Sequence, residues 1–173
     1  MLAPGRAYRW DGGCGILRAA MALFHMLYLS RSTRDWTMAE LAQLVAYSQR
    51  RNEQDGLTGL LLYGRGHFLQ LLEGRRQPLL LTYDRIARDA RHTDIELLLD
   101  GPIPARVFEG WAMGLLNVDQ SGEVDRDRFD RLIAAFGPRQ EPQAENALAL
   151  SLLKEFRAHA TARPAATRLP DLA

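Results

Sequence analysis

The sequence predicts an α+β fold, a ferredoxin-like β-α-β-β-α-β-β sandwich with two helices appended at its C-terminal end. Three observations lead there. Two stretches of helical periodicity stand between strand-like runs, in an order that lays both helices on one face of a single sheet. One inner strand, Leu57 to Tyr63, is apolar at nearly every position, which calls for cover on both faces. After Val118 the pattern turns wholly helical and offers that cover, either to the second sheet face or to a partner subunit.

The elements follow in order. Phe24 to Ser30 is rich in aromatic and aliphatic residues and reads as a first strand. Thr37 with Glu40 three residues on is a capping box, and it opens a helix that runs to about Arg51 with Met38, Leu41 and Val45 facing the core. Polar residues from Asn52 lead to Gly56, and Asn52 reads as a helix cap. Leu57–Tyr63 and His67–Glu73 are strands joined across Gly64-Arg65-Gly66. Pro78 starts a second helix with Leu79, Tyr83, Ile86 and Ala90 as its apolar stripe. Asp94–Asp100 and Trp111–Val118 are the last two strands, separated by a turn at Gly101-Pro102. Phe129, Leu132, Ile133 and Phe136 then form one helical face, and Ala147, Leu148, Leu150, Leu152, Leu153 and Phe156 another.

This organisation gives an irregular N-terminal arm over 1–22, a folded domain over 23–119, a helical extension over 120–161 and a frayed tail over 162–173. The domain has enough chain to bury a core without disulfides or a structural metal. Lys and Arg total 22 against 21 Asp and Glu, and such a balance argues against nucleic acid or an anionic membrane as the partner. Cys14 is the single cysteine, so neither an internal disulfide nor a zinc cluster is available, and a reducing cytoplasm is the natural setting. No apolar run approaches the roughly 20 residues that span a bilayer.

Catalytic chemistry finds little support. His25, His67, His92 and His159 lack metal-ligand spacing, no serine sits in a nucleophile elbow, and Gly64-Arg65-Gly66 lacks the Lys-Ser/Thr of a phosphate loop. Glu73 and Asp89 are acid–base candidates whose plainer roles are a turn or a salt bridge. The informative residue is Gln70. Strand alternation puts Phe68, Gln70 and Leu72 on one face, so a mid-strand amide faces an apolar interior. Leaving it unpaired would cost about 1–3 kcal/mol, so a neighbouring backbone group or a polar ligand must meet it. Tyr28 lies mid-strand between Met26 and Ser30 and also needs a partner for its hydroxyl. Trp111 and Met113 alternate onto one face of the last strand, as core residues do.

Several strings around these residues resemble the BLUF family, blue-light sensors that use FAD. They are Leu27-Tyr-Leu-Ser30, Ser48-Gln-Arg-Arg-Asn52, Gly56-Leu-Thr-Gly-Leu-Leu-Leu-Tyr63 and Phe68-Leu-Gln-Leu-Leu-Glu-Gly74. They continue with Tyr83-Asp-Arg-Ile86, Asp89-Ala-Arg-His92 and Phe108-Glu-Gly-Trp-Ala-Met113, over Phe24 to Val118. The resemblance implies a flavin held between the two helices. It makes Tyr28 the photo-oxidised tyrosine, Gln70 the switching glutamine and Asn52 the holder of the flavin C4=O/N3 edge. It sets Arg85, Asp89, Arg91 and His92 along the other edge and the ribityl chain, and gives Trp111 and Met113 the exit of the signal. Arg51 is a departure, since some members carry Asn or His before the asparagine.

The expected function is therefore a short photoreceptor, not an enzyme, that signals to a protein partner. The stretch of about 55 residues after Val118 is too short for a nucleotide cyclase or a cyclic-dinucleotide phosphodiesterase. A homo-oligomer is expected, with Leu148, Leu152 and Phe156 as interface residues. The competing readings are a light-insensitive flavin- or small-ligand-binding module, a redox enzyme, and a degenerate member that keeps the fold as a structural dimer.

Overall fold

The computed structural model describes residues 22–135 and 150–158. Strand β1 (Leu23–Ser32) leads into helix α1 (Met38–Asp55), the pair β2 (Thr58–Gly64) and β3 (His67–Arg75), and helix α2 (Arg76–Ala87). Strands β4 (His92–Ile103) and β5 (Gly114–Asn117), a 3-10 turn over Val118–Gln120 and helix α3 (Glu123–Ala135) complete it, with a further helical segment over 150–158. The five strands form one sheet in the order β4-β1-β3-β2-β5, with β2–β5 parallel and every other pair antiparallel. The expected α+β, ferredoxin-like architecture is the one found.

Local chemistry accounts for the boundaries. Thr37 and Glu40 form the reciprocal capping box at the start of α1. The helix continues past Arg51 because Gly56, at φ 65°, caps it by donating its N–H to the carbonyls of Asn52 and Glu53. Glu53, Gln54 and Asp55, in its last turn, are polar and exposed, so they carry no periodic signal. Helix α2 starts two residues before Pro78 and ends at Ala87, which leaves Ala90 exposed beyond it. The β2–β3 turn is the dipeptide Arg65-Gly66, with φ of 51° and 71°, the conformation that matches hairpin twist. Strand β4 is longer than expected at both ends.

The expected strand from Trp111 to Val118 shrinks to Gly114–Asn117 for a visible reason. The carbonyls that would extend it are taken by other donors. Gly59 N–H reaches Trp111 O at 2.9 Å, Asn52 Nδ2 reaches Ala112 O at 2.7 Å and Gln49 Nε2 reaches Met113 O at 2.8 Å. Trp111 and Met113 therefore lie outside the strand and do not share a face. Met113 is buried on the side covered by α1 and α2, whereas Trp111 packs on the other side beside Phe108.

Two cores flank the sheet. Helices α1 and α2 cover one face, where Leu41, Val45 and Leu79 meet Met26, Leu61, Phe68 and Leu72. Met38, expected in that core, is 37% exposed. It sits in the first turn of the helix, with its sulfur accepting from Asn117 Nδ2 at 3.2 Å. The second face is covered by α3 and the 150–158 helix, through Phe129, Leu132, Leu152, Leu153 and Phe156 against Leu60, Leu62, Leu69 and Leu71. Burying each such side chain stabilises by about 1.5–3 kcal/mol. Leu152 and Phe156 are thus spent within the chain and are not interface residues. Phe136, Ala147, Leu148, Cys14, His159, the arm over 1–21 and the tail over 162–173 lie outside the described residues. Among the described residues no helix is long and apolar enough to cross a membrane.

Candidate functional site

A cavity of about 260 Å³ opens between the sheet and helices α1 and α2. Its floor is sheet: Tyr28 on β1, Leu61 on β2, and Phe68 and Gln70 on β3. The register sets Gln70 opposite Tyr28 on one side and Leu61 on the other, so an amide stands at the centre of the floor. The α1 wall is Leu44, Tyr47, Ser48, Arg51 and Asn52, and the α2 wall is Thr82, Arg85 and Ile86. Asp89 and Arg91, on the turn after α2, and His92, at the start of β4, close the rim. Tyr28, Asn52, Gln70, Arg85, Asp89, Arg91 and His92 all line this single space, although up to 64 positions separate them in the chain.

Tyr28 is 1% exposed, and its hydroxyl donates to Gln70 Oε1. Burial, with Tyr83 and Asp89 adding to it, pushes the phenol pKa well above its usual value, so the group is neutral. Among the described residues, Gln70 Nε2 in turn meets only Met113 Sδ, at 3.4 Å. Sulfur is a weak acceptor, so the amide keeps donor capacity that the protein leaves unused. The Asn52 side chain commits one N–H to Ala112 O and makes no further hydrogen bond among the described residues. It is 2% exposed and belongs to the last turns of α1, which corrects its reading as a cap.

The rim is charged and ordered. Arg91 Nε holds the Asp89 carboxylate at 2.8 and 2.9 Å, and this guanidinium keeps the carboxyl down at about 2. His92 Nδ1 lies 2.8 Å from Ser30 Oγ, and burial lowers its pKa despite the nearby Asp89. Its ring packs on Phe68, with centroids 4.9 Å apart. Arg51 is the departure noted in the sequence, and its buried Nε has no hydrogen-bond partner among the described residues.

Tyr47, Thr82 and Leu44 were not singled out by the sequence reading. A signal for them exists. Residues 44, 47, 48, 51 and 52 recur at helical spacing along α1, as do 82, 85, 86 and 89 along and beyond α2. Each set mixes polar and apolar side chains on what would otherwise be a plain core stripe.

The family profile described as BLUF, sensors of blue light using FAD, matches residues 23–114. This chain belongs to the BLUF family. BLUF proteins are blue-light flavin sensors, and this one is 34% identical over 113 residues to the blue light- and temperature-regulated antirepressor BluF of Escherichia coli. That match takes in 64% of this chain and 28% of the relative. The photoactivated adenylate cyclase subunit beta of Euglena gracilis is 28% identical over 132 residues, or 76% of this chain and 14% of the cyclase subunit. Among solved structures, the dark state of the BLUF protein BlrB is 28% identical with a TM-score of 0.58, and covers 76% of this chain and 98% of its own. A structure of Klebsiella pneumoniae BlrP1 with FMN and cyclic diGMP matches at 29% identity and TM-score 0.56, over 66% of this chain and 34% of that one. BLUF domains bind a flavin chromophore and pass a signal to a downstream partner.

Proposed function

We propose that this chain is a blue-light photoreceptor and not an enzyme, with FAD as its chromophore, held in the cavity between α1 and α2. One observation carries the reading: a buried tyrosine hydroxyl is bonded to a buried glutamine that lines that cavity and whose N–H groups, among the described residues, meet no acceptor stronger than a methionine sulfur. The donor set fits a flavin. Asn52 and Gln70 offer amides to a ring edge that bears carbonyl and imide groups, while Arg51, Arg85, Arg91 and His92 suit the polar edge and the ribityl chain. Apolar Leu44, Leu61, Phe68 and Ile86 suit the flat ring faces.

When bound, a flavin that absorbs blue light supplies a strong oxidant. The protein's part is to hold the electron and proton donor and to change a hydrogen-bond pattern. Tyr28 is kept as a neutral phenol by burial, so it yields its electron and its proton together. Gln70 Oε1 is the acceptor already in line for that proton. The Gln70 amide can then reverse as the electron and proton return to Tyr28, so that Nε2 and Oε1 exchange places between Tyr28, Met113 and the cavity. In a dry site such an exchange of donors and acceptors weighs more than it would in water. Met113 reads the state of the amide directly through its sulfur, and Trp111, two residues before it, sits against the opposite core. Output to a protein partner through the C-terminal helices follows from that connection. The single cysteine supports a cytoplasmic setting.

The deciding experiment is the visible spectrum of the purified protein before and during blue illumination. A flavin band that moves reversibly to the red is expected. A bound flavin that bleaches instead would point to redox chemistry, and a protein that stays colourless with added FAD would sink the photoreceptor reading.

A further inference from the structure

The site described so far lies on one face of β3. The same strand carries a second polar residue in a buried place, on its other face. Glu73 stands three residues beyond Gln70, roughly 10 Å along the strand, and is fully buried on the side covered by the C-terminal helices. A buried carboxylate needs strong donors, and this one takes them from the segment between β4 and β5. Its Oε1 accepts from Val107 N at 2.7 Å and its Oε2 from Phe108 N at 2.9 Å, with Thr58 Oγ1 donating to Oε2 at 3.2 Å. Arg106 closes the clamp from the same segment. Its guanidinium donates to Glu73 O and Thr58 Oγ1, both at 2.8 Å, and to Gly56 O at 2.7 Å.

What the clamp holds is as telling as how it holds it. Phe108 is fully buried against Trp111 and belongs to the core that contains Phe129, Leu152 and Phe156. Its neighbour Glu109 offers its carbonyl to Arg157 of the 150–158 helix at 3.4 Å. A continuous path thus runs from Gln70 through the backbone of the central strand to Glu73, across to Val107 and Phe108, and on to the C-terminal helix. It is separate from the contact that Gln70 makes with Met113.

We infer that Glu73 is a positioning residue that couples the strand carrying Gln70 to the C-terminal helix, by clamping the 106–108 segment together with Arg106. The inference rests on the photoreceptor reading above. Strand β3 is paired on both sides, so a change at Gln70 moves it as a unit, and a charged hydrogen-bond pair transmits position where an apolar contact would slip.

The test is Glu73→Gln in the full-length, flavin-loaded chain. Its two readouts are the light-induced spectral shift and hydrogen exchange in the dark and under light. The native chain should shift to the red and alter its exchange over 150–158. The variant should keep the shift, because Glu73 touches nothing in the cavity. It should lose protection at the Val107 and Phe108 amides by roughly tenfold to a hundredfold, the worth of a charged hydrogen bond. Its light response over 150–158 should collapse. Where Glu73→Gln fails to fold, Arg106→Lys removes the guanidinium fork while keeping the charge, and the same result is expected. A full light response at 150–158 in the variant, with the 107–108 protection gone, overturns the inference. So does a native chain that shifts spectrally with no response at 150–158. A native chain that binds flavin without shifting sinks the photoreceptor reading instead, and the relay falls with it.

Discussion

Replacing Tyr28 with Phe removes one oxygen from the interior and should separate folding from photochemistry. The ring is 1% exposed and packs edge-on against Tyr83, with centroids 5.8 Å apart, and Phe keeps those contacts. The loss is the bond to Gln70 Oε1, which leaves a buried amide oxygen without its donor. An orphaned buried acceptor costs about 1–3 kcal/mol, and release of the hydroxyl from its own desolvation returns part of that, for a net of roughly 1 kcal/mol. In a chain of this size that is a fall in Tm of about 2–4 °C. Bound flavin should be retained, because Asn52, the arginines and the apolar walls are untouched. The red shift under blue light should vanish, because the proton and electron donor is gone and Phe can supply neither. The assay is the light-minus-dark difference spectrum, with a melting curve on the same sample. A full reversible shift in Tyr28→Phe would refute the role given to Tyr28 and Gln70. A Tm loss far above 4 °C would show that the hydroxyl matters mainly for packing.

Other expectations are as direct. Gly59 has no room for a side chain, since a Cβ there would come within 2.1 Å of Leu71 O. Gly59→Ala should cost about 2–3 kcal/mol by overpacking, seen as a lower midpoint in urea, and an unchanged midpoint would refute the register of β2 on β3. Phe156→Ala should cost about 3–5 kcal/mol if the 150–158 helix is part of the second core, and a negligible cost in thermal melts would show that the helix does not dock there. His25 and His92 both have their pKa lowered from 6.5 by burial, so the unfolded chain binds more protons below that value. Stability should therefore be at its full value above pH 6.5 and fall as the pH drops below it, with Tm decreasing from pH 7.5 to 5.5. His92→Asn should flatten part of that slope, and an identical slope would refute the assignment. Asp89, held at about 2 by Arg91, adds stability above the ordinary carboxylate range that is lost as the pH falls from about 4 towards 2, and Asp89→Asn should remove that segment of the acid curve.

Much of this molecule was legible in residue pattern. The capping box at Thr37, the Gly-containing turn between two apolar runs, and the helix–strand alternation determined the order of the elements, because each is set by local chemistry that neighbouring residues complete. Gln70 and Tyr28 were legible as oddities, polar groups at positions where alternation demanded apolar ones, and the strings around them carried the family. Three matters were left to tertiary structure. Trp111 and Met113 parted to opposite faces because donors from Gly59, Asn52 and Gln49, distant in sequence, took the carbonyls that a strand would have used. Leu152 and Phe156 went into the chain's own second core, since an amphipathic stripe states only that a helix must be covered, never by what. Glu73 read as an acid–base candidate with a turn or a salt bridge as its plainer role, until Val107, Phe108 and Arg106 closed on it. In each case the decision rests on which groups far apart in the chain arrive together, and periodicity, which is local, does not carry that information.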